Sequence, residues 1–297
     1  MAEYYLMFSR LFGIIAPVFI CAGIGFLWAK SNRSYDVELV TSLMTNIGTP
    51  CLVFYALISA RLAPSEFNSM AILALQVIFI TALVALSALK LMALDYRIFL
   101  PSLTFSNAGN MGLPLCLLAF GERGLAIAVV YFTVSAVSQF TFGMMISSGS
   151  KSLLEVFKIP IIYAVIVAVA LLTFRVEAPD FIVDTTRILG GMTIPMMLIT
   201  LGVSLARLRI AALPRSTLMS IFRLTLGFCV GVSLANYHGL EGLERGVLII
   251  ESAMPVAVFN YLFAQRFNRS PEEVAGMVVI STTISFASLP LLLLNVL

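Results

Sequence analysis

The sequence has few charged residues and a single histidine. Asp, Glu, Lys and Arg make up 11% of its 297 residues, and His238 is the sole imidazole. So few charges exclude an ordinary soluble domain, and one histidine excludes a histidine proton relay. The four cysteines lack metal-ligand spacing, and we expect them to pack inside helices rather than form disulfides: Cys21, Cys51, Cys116 and Cys229.

Apolar residues are abundant. They make up 60% of the chain, and the mean hydropathy is +1.04, so we predict an all-α integral membrane protein. The connections are short, which predicts one helical bundle without a soluble domain, and the first apolar stretch is too long for a cleaved signal peptide. Ten spans of about 20 apolar residues are predicted, at 7–29, 37–60, 69–92, 98–120, 124–147, 156–174, 181–205, 215–236, 246–265 and 272–296.

The positive charges of the predicted loops are divided unevenly between the two membrane faces. The positive-inside rule assigns the richer face to the cytoplasm, so both termini are expected outside, on the periplasmic side of a bacterial inner membrane. The net charge of +3 is then a consequence of topology, and no nucleic-acid partner is expected. The richer face holds Lys30, Arg33, Lys90, Arg97, Lys151, Lys158, Arg207, Arg209, Arg215, Arg266 and Arg269; the other holds Arg61, Arg123, Arg175, Arg187 and Arg245.

Two predicted spans are interrupted where a straight helix should continue. The fourth contains the segment Ser106-Asn107-Ala108-Gly109-Asn110-Met111-Gly112-Leu113-Pro114, and the ninth contains Glu251-Ser252-Ala253-Met254-Pro255. An unpaired backbone group inside a bilayer is tolerated only where it is buried in protein or lines a cavity. A paired break of this kind is typical of a midplane binding site, and therefore of a transporter.

The two halves of the chain echo each other around their prolines. Pro50 in the second span is matched by Pro195 in the seventh, and Pro114 in the fourth by Pro255 in the ninth. Each half has an odd number of spans, so the second half must cross the membrane in the opposite sense. We therefore predict a 5+5 inverted repeat about an axis in the membrane plane.

At these residues the chain resembles a bacterial member of the auxin efflux carrier family, which is similar in architecture to the bile acid/sodium symporters. The resemblance rests on Asn-Met-Gly-Leu-Pro ending at Pro114, on Ile-Gly-Thr-Pro ending at Pro50, and on the ten-span length. It implies a scaffold from residues 7–60 and 156–205 and a transport domain from residues 69–147 and 215–296. It also implies that helices 4 and 9 cross and that the domains move against each other like an elevator. The scaffold helices could form a homodimer surface, although the sequence does not fix the oligomeric state.

Two broken helices that cross create regions of positive and of negative electrostatic potential. The half-helix N-termini present free N–H groups and positive dipole ends, while the C-terminal ends present carbonyls, so such a site suits an organic anion and a small cation together. Glu251 is the most informative single residue of this predicted site. An acidic side chain near the middle of a membrane span should face the protein interior and have a partner. Its coupling-ion role competes with a structural alternative, a pair with Arg223.

The coupling ion is expected to be Na⁺, with a proton as the alternative, since a buried carboxylate can also take up and release a proton. Resemblance to the symporters implies sodium ligands at Gln76, Ser106, Asn107, Thr133, Glu251, Ser252 and Met254, with Glu251, Asn107 and Ser106 as the core of the metal site. The chain departs from the symporter pattern at Pro255, which replaces a Gln, and at Val129, which replaces a hydroxyl.

The expected substrate is a small organic anion, a mono- or dicarboxylate, since the fourth span lacks the Asn-Pro-Asn pattern of the plant auxin carriers. The predicted substrate-binding residues are Asn46, Thr49, Asn110, Gly112, Pro114, Pro255 and Asn260.

Three other function classes compete with a transporter. An intramembrane enzyme needs a nucleophile with a base, paired carboxylates or a metal cluster, whereas Glu251 has no acidic companion at its depth; no enzyme activity is expected, and no cofactor other than the coupling ion. A passive channel would not need the repeat. A sensor would need an output domain, which we do not find.

Overall fold

The computed structural model describes residues 2–149, 159–208 and 213–297. In these ranges the chain is helical, and β-pairing is limited to one isolated antiparallel bridge. The helices are α1 (Ala2–Lys30), α2 (Val37–Leu43), α3 (Thr49–Ser59), α4 (Pro64–Leu91), α5 (Tyr96–Thr104), α6 (Leu113–Ser138), α7 (Met144–Ser148), α8 (Pro160–Phe174), α9 (Asp180–Gly191), α10 (Thr193–Arg207), α11 (Leu213–Tyr237), α12 (Gly242–Ala253), α13 (Val258–Arg266) and α14 (Pro271–Leu294).

Three π-helical turns join neighbouring helices: Met44–Gly48, Ala108–Gly112 and Gln139–Gly143. Pro50 and Pro114 follow the first two turns by two residues. A proline has no N–H to donate to the carbonyl four residues before it. The helical hydrogen bonds therefore change there from the α-helical pattern to the wider π-helical pattern. The N–H of Thr49 bonds to the carbonyl of Met44, and the N–H of Leu113 bonds to that of Ala108.

Carboxylate side chains cap the first turns of α2 and α4. The Asp36 carboxylate accepts a hydrogen bond from the N–H of Leu39 at 2.9 Å, which caps α2. At α4, the carboxylate of Glu66 accepts from the N–H of Ala63 at 3.0 Å, and Pro64 occupies the first turn. These caps satisfy backbone donors that have no partner within their own helix.

Seven stretches of the described chain are long and apolar enough to cross a bilayer. The 41-residue stretch Ala108–Ser148 holds parts of two predicted spans, which separate inside α6 at Gly121, where φ is 68° and ψ is −163°. α8 is a shorter apolar helix, and part of its predicted span lies outside the described residues, as do Lys151, Lys158 and Arg209. The integral membrane fold is confirmed, while the count of ten spans stays a prediction.

Glycines allow the closest helix packing. A Cβ on Gly25 of α1 would overlap the backbone of Ile199 in α10, and a Cβ on Gly202 of α10 would overlap the backbone of Ala22. α3 lies against α8 and α9, and Gly190 leaves no room for a side chain beside the backbone of Leu52. A second group forms where α11 packs on α12 and α14, and α6 packs on α4 and α12.

Candidate functional site

The two predicted breaks meet in the interior of the protein. α5 ends at Thr104 and α12 ends at Ala253, and each is followed by a short extended segment. The segments are Phe105–Asn107 and Met254–Ala257, and we call them together the crossing.

Hydrogen bonds hold the crossing together. The N–H of Asn107 donates to the carbonyl of Pro255 at 2.8 Å, and the N–H of Ala257 donates to that of Phe105 at 3.4 Å. Ser106 and Val256 form the antiparallel bridge, and the Ser281 hydroxyl accepts from the N–H of Val256 at 3.1 Å. Backbone groups of the two breaks thereby find partners inside the protein rather than facing lipid.

A small cavity lies where the two following half-helices begin. It has a volume of about 50 Å³ and is bounded by residues 106–110 on one side and by Ala257 and Phe259 on the other. Both helix N-termini therefore face the same space. Asn107 is one of the lining residues, and its Nδ2 is buried without a hydrogen-bond partner.

A larger cavity of about 700 Å³, the vestibule, adjoins the small one and shares Thr45, Asn110, Met197 and Phe259 with it. The vestibule reaches the start of α2 and the end of α10, so it opens at that end of the bundle. Its polar lining consists of Glu38, Thr41, Ser42, Thr45, Asn46, Asn110, Thr200, Ser204, Arg207, Tyr261 and Gln265.

Glu251 is completely buried in α12 beside the crossing. Its Oε1 accepts a weak hydrogen bond from the thiol of Cys116 at 3.8 Å, and its Oε2 has no partner. A Cβ on Gly112 would overlap the carboxylate, so this glycine is what allows the acid to lie against the wide turn before α6. No ion pair joins Glu251 to a basic residue within the described chain.

Arg223 of α11 is also buried, with 1% of its surface exposed. Its Nη1 donates to the carbonyl of Leu103 at 3.1 Å, and its Nη2 donates to the carbonyl of Ser252 at 2.9 Å. These carbonyls lie in the last turns of α5 and α12. Arg223 therefore bonds to two helix ends. The alternative prediction, an ion pair between Arg223 and Glu251, is wrong.

The predicted ion ligands are spread over several places. Ser106 and Asn107 lie in the crossing, with Glu251 and Ser252 in the helix before it. The Ser252 hydroxyl donates to the carbonyl of Ile249 at 3.1 Å.

Of the other three predicted ion ligands, Thr133 and Gln76 lie outside the crossing, and Met254 is the first residue of its second segment. The Thr133 hydroxyl donates to the carbonyl of Val129 at 2.7 Å, within its own helix. The Gln76 Oε1 is 2.9 Å from the Nε2 of His238, at the far end of α11. Met254 lies against a separate cavity of about 420 Å³ between α11 and α14.

Three of the seven predicted substrate residues line the cavities. Thr49 lines the small cavity, Asn46 lines the vestibule, and Asn110 lines both. The amide of Asn46 donates to the carbonyl of Ser42 at 2.8 Å, within its own helix.

The other four predicted substrate residues are buried around the crossing. The Asn260 Nδ2 donates to the carbonyl of Phe105 at 3.4 Å. Pro255 supplies the carbonyl that pairs with Asn107, while Gly112 lies against Glu251 and Pro114 is in the first turn of α6.

Gln139, Cys116 and Tyr131 also belong to the site and were not predicted. Gln139 is buried, lines the small cavity and donates from Nε2 to the Oδ1 of Asn260 at 2.9 Å. Its signal in the sequence is a polar run, Ser135, Ser138, Gln139 and Thr141, inside an apolar span. Tyr131 is buried within electrostatic range of Arg223 and Glu251, but nothing in the sequence distinguishes it from a packing aromatic.

Comparison with known proteins agrees with a transport role. The profile of a family described as membrane transport protein matches residues 142–293, just over half of the chain. An uncharacterized transporter of Methanocaldococcus jannaschii is 28% identical over 190 residues, which cover 60% of this chain and 61% of the relative. An uncharacterized transporter of Methanothermobacter thermautotrophicus is 26% identical over 192 residues, covering 62% and 63%. The chain thus spans less than two thirds of the length of these relatives.

Proposed function

The chain belongs to the auxin efflux carrier family of membrane transport proteins, and from that premise we propose that it is a secondary transporter that moves a small organic anion by alternating access. That it is a multi-pass membrane transporter follows from the family and from its apolar helices. The observation that carries the finer proposal is the small cavity, which two helix N-termini share.

The cavity supports an anionic substrate. Each helix N-terminus carries the equivalent of roughly half a positive charge and N–H groups that lack intrahelical partners. Asn107 and Gln139 add amide groups to the same space. A volume of about 50 Å³ is on the order of one or two water molecules, which fits one carboxylate group while the rest of the molecule extends into the vestibule.

The packing supports two units that move against each other. The first, the scaffold, comprises residues 7–60 and 156–205; the second, the transport domain, comprises residues 69–147 and 215–296. Glycine contacts such as Gly25 with Ile199 hold the first unit together. Both cavities have walls from each unit, since Thr45 and Met197 face Asn110 and Phe259 across them. An elevator movement would carry the crossing past the scaffold, and the vestibule would be its entrance from the cytoplasmic side.

We assign coupling to Glu251, with a proton as the ion. A buried carboxylate without a cationic partner is costly when ionised, so binding of a proton stabilises the arrangement described above. Of the oxygens proposed for Na⁺, the Gln76 Oε1 is engaged by His238 instead. The hydroxyls of Thr133 and Ser252 donate within their own helices and keep their lone pairs. Na⁺ at Glu251, Asn107 and Ser106 is the competing outcome of the experiment.

The test is uptake into sealed proteoliposomes. A set of small mono- and dicarboxylates, including malonate and malate, is screened with a pH gradient, with a sodium gradient at fixed pH, and with neither. We expect accumulation of at least one carboxylate driven by the pH gradient. Accumulation that follows only the sodium gradient would overturn the proton assignment, and flux without accumulation would indicate a channel.

Glu251→Gln is the variant that tests the coupling residue. It keeps the size of the side chain but cannot exchange a proton, so we expect gradient-driven accumulation to be lost while exchange of substrate across the membrane persists. Glu122→Gln is the matched control, because Glu122 is an exposed carboxylate beyond the kink of α6. Unchanged accumulation in Glu251→Gln would remove the assignment.

A further inference from the structure

The C-terminal ends of two half-helices come close together beside the crossing, and this creates an electrostatic problem. Each helix end carries the equivalent of roughly half a negative charge on carbonyls that have no partner in their own helix. In a bilayer interior no bulk water is available to solvate them. α5 and α12 both end in this way within the protein, at Thr104 and Ala253.

Arg223 meets both ends with one planar group. Its two terminal nitrogens donate separately, one to Leu103 of α5 and one to Ser252 of α12. The guanidinium carries one positive charge, which balances roughly two half-charges from the helix ends. Its fork geometry allows two carbonyls on different chain segments to be held at a fixed spacing, which a single ammonium group does less well.

The surface of α11 is shaped to bring the end of α12 within reach of this arginine. A Cβ on Gly227, one turn beyond Arg223, would overlap the carbonyl of Ser252. A Cβ on Gly231, a further turn along, would overlap the hydroxyl of the same serine. Arg223, Gly227 and Gly231 therefore form one stripe on α11, against which the last turn of α12 rests.

We propose that Arg223 is a positioning residue that acts as a built-in cation: it neutralises the C-terminal ends of both half-helices, fixes their spacing, and so holds the crossing in register. In this role it takes the place that a bound metal cation would otherwise occupy at these carbonyls. The inference rests on the proposed function only in that the crossing is the transport site, and it does not depend on which solute or ion is moved.

The test measures the local stability of the crossing directly and needs no transport assay. Amide hydrogen exchange is measured by mass spectrometry on purified protein in detergent, for the wild type, Arg223→Gln and Arg223→Lys. Arg215→Gln is the matched control, since Arg215 lies on the same helix but is half-exposed and pairs with Glu273. In Arg223→Gln we expect exchange in residues 105–107 and 254–257 to rise by about tenfold or more, as for lost hydrogen bonds to a charged group.

Two further arms distinguish positioning from general packing. Millimolar guanidinium should restore protection of the crossing in Arg223→Gln, whereas the same concentration of tetramethylammonium should not. Arg223→Lys should fall between the wild type and Arg223→Gln, and it decides the question if Arg223→Gln does not accumulate. An increase spread evenly over α1 and α10, or no increase at the crossing, would overturn the proposal. So would wild-type protection of the crossing that requires Na⁺.

Discussion

The two sides of the crossing differ in what they offer to a ligand. On the C-terminal side, the carbonyls of Leu103 and Ser252 are already bonded to Arg223. On the N-terminal side, two helix starts face a cavity, and the amide nitrogen of Asn107 is buried without a partner. The first arrangement is fixed by the protein itself, while the second leaves the Asn107 amide without a partner. In the transporter that we propose, the exchangeable anion would bind there, so permanent and exchangeable charges would lie on opposite sides of the crossing.

Gly227→Ala is expected to have the largest effect, and it disturbs the C-terminal side of the crossing, where Arg223 holds the two helix ends. The new Cβ would overlap the backbone carbonyl of Ser252, and backbone cannot move aside as a flexible side chain does. We expect a loss of stability of about 1–3 kcal/mol or more, measured as thermal unfolding in detergent. Gly23→Ala is the control, because a Cβ there meets nothing within 4 Å. A Gly227→Ala protein as stable as the wild type would contradict the close approach of α12 to α11.

Gly112→Ala should have the next largest effect and should act on coupling. Its Cβ would overlap the carboxylate of Glu251, so the acid must turn away from the wide turn before α6. We expect gradient-driven uptake in proteoliposomes to fall at least about tenfold, which corresponds to about 1.4 kcal/mol, with a smaller loss of thermal stability. Normal uptake would show that the position of this carboxylate is not critical.

Asn107→Ala probes the exchangeable side. The Nδ2 of Asn107 has no partner in this state, so removing it should leave the melting temperature nearly unchanged. Affinity for the transported carboxylate should fall by about threefold to tenfold, the size of one hydrogen bond. Asn46→Ala is the comparison, because the Asn46 amide is bonded within its own helix and its loss should matter less. If stability falls and affinity does not, Asn107 is a structural residue.

Thr133→Val is expected to have the smallest effect. The Thr133 hydroxyl already donates to the carbonyl of Val129, and valine has nearly the same shape. If the coupling ion is a proton, no cation needs this oxygen, so uptake with and without Na⁺ should stay within about twofold of the wild type. Loss of the hydrogen bond should lower the stability by roughly 1 kcal/mol or less. A large loss confined to sodium-containing buffer would reinstate Thr133 as an ion ligand.

Local sequence patterns predicted the helical membrane fold and the position of the two breaks. Clusters such as Gly112 with Pro114, and Met254 with Pro255, act on their own backbone, so their effect can be predicted from a single segment. The burial of Glu251 followed in the same way from its position within an apolar span. Both predictions concern short-range properties.

The partners of buried polar groups could not be predicted in this way. Arg223 bonds to carbonyls of residues 103 and 252, and a backbone carbonyl leaves no mark in the sequence. An ion pair with Arg223 was the alternative prediction for Glu251, but the carboxylate lies against Gly112 and Cys116, because a glycine creates space that only the folded chain makes visible. Gln139 reaches Asn260 across 121 positions of the chain, and no local pattern encodes that contact.

The guanidinium of Arg223 has a consequence for the response to voltage. If the crossing travels through the bilayer, this arginine travels with it, and one elementary charge crossing the full field changes the free energy by about 2.3 kcal/mol per 100 mV. With Glu251 protonated and a singly charged anion bound, the loaded unit is electrically neutral. After the anion and the proton are released, the Glu251 carboxylate balances Arg223, so the empty unit returns neutral as well. A doubly charged substrate would instead leave the loaded unit with one negative charge, and membrane potential would then act on the loaded passage.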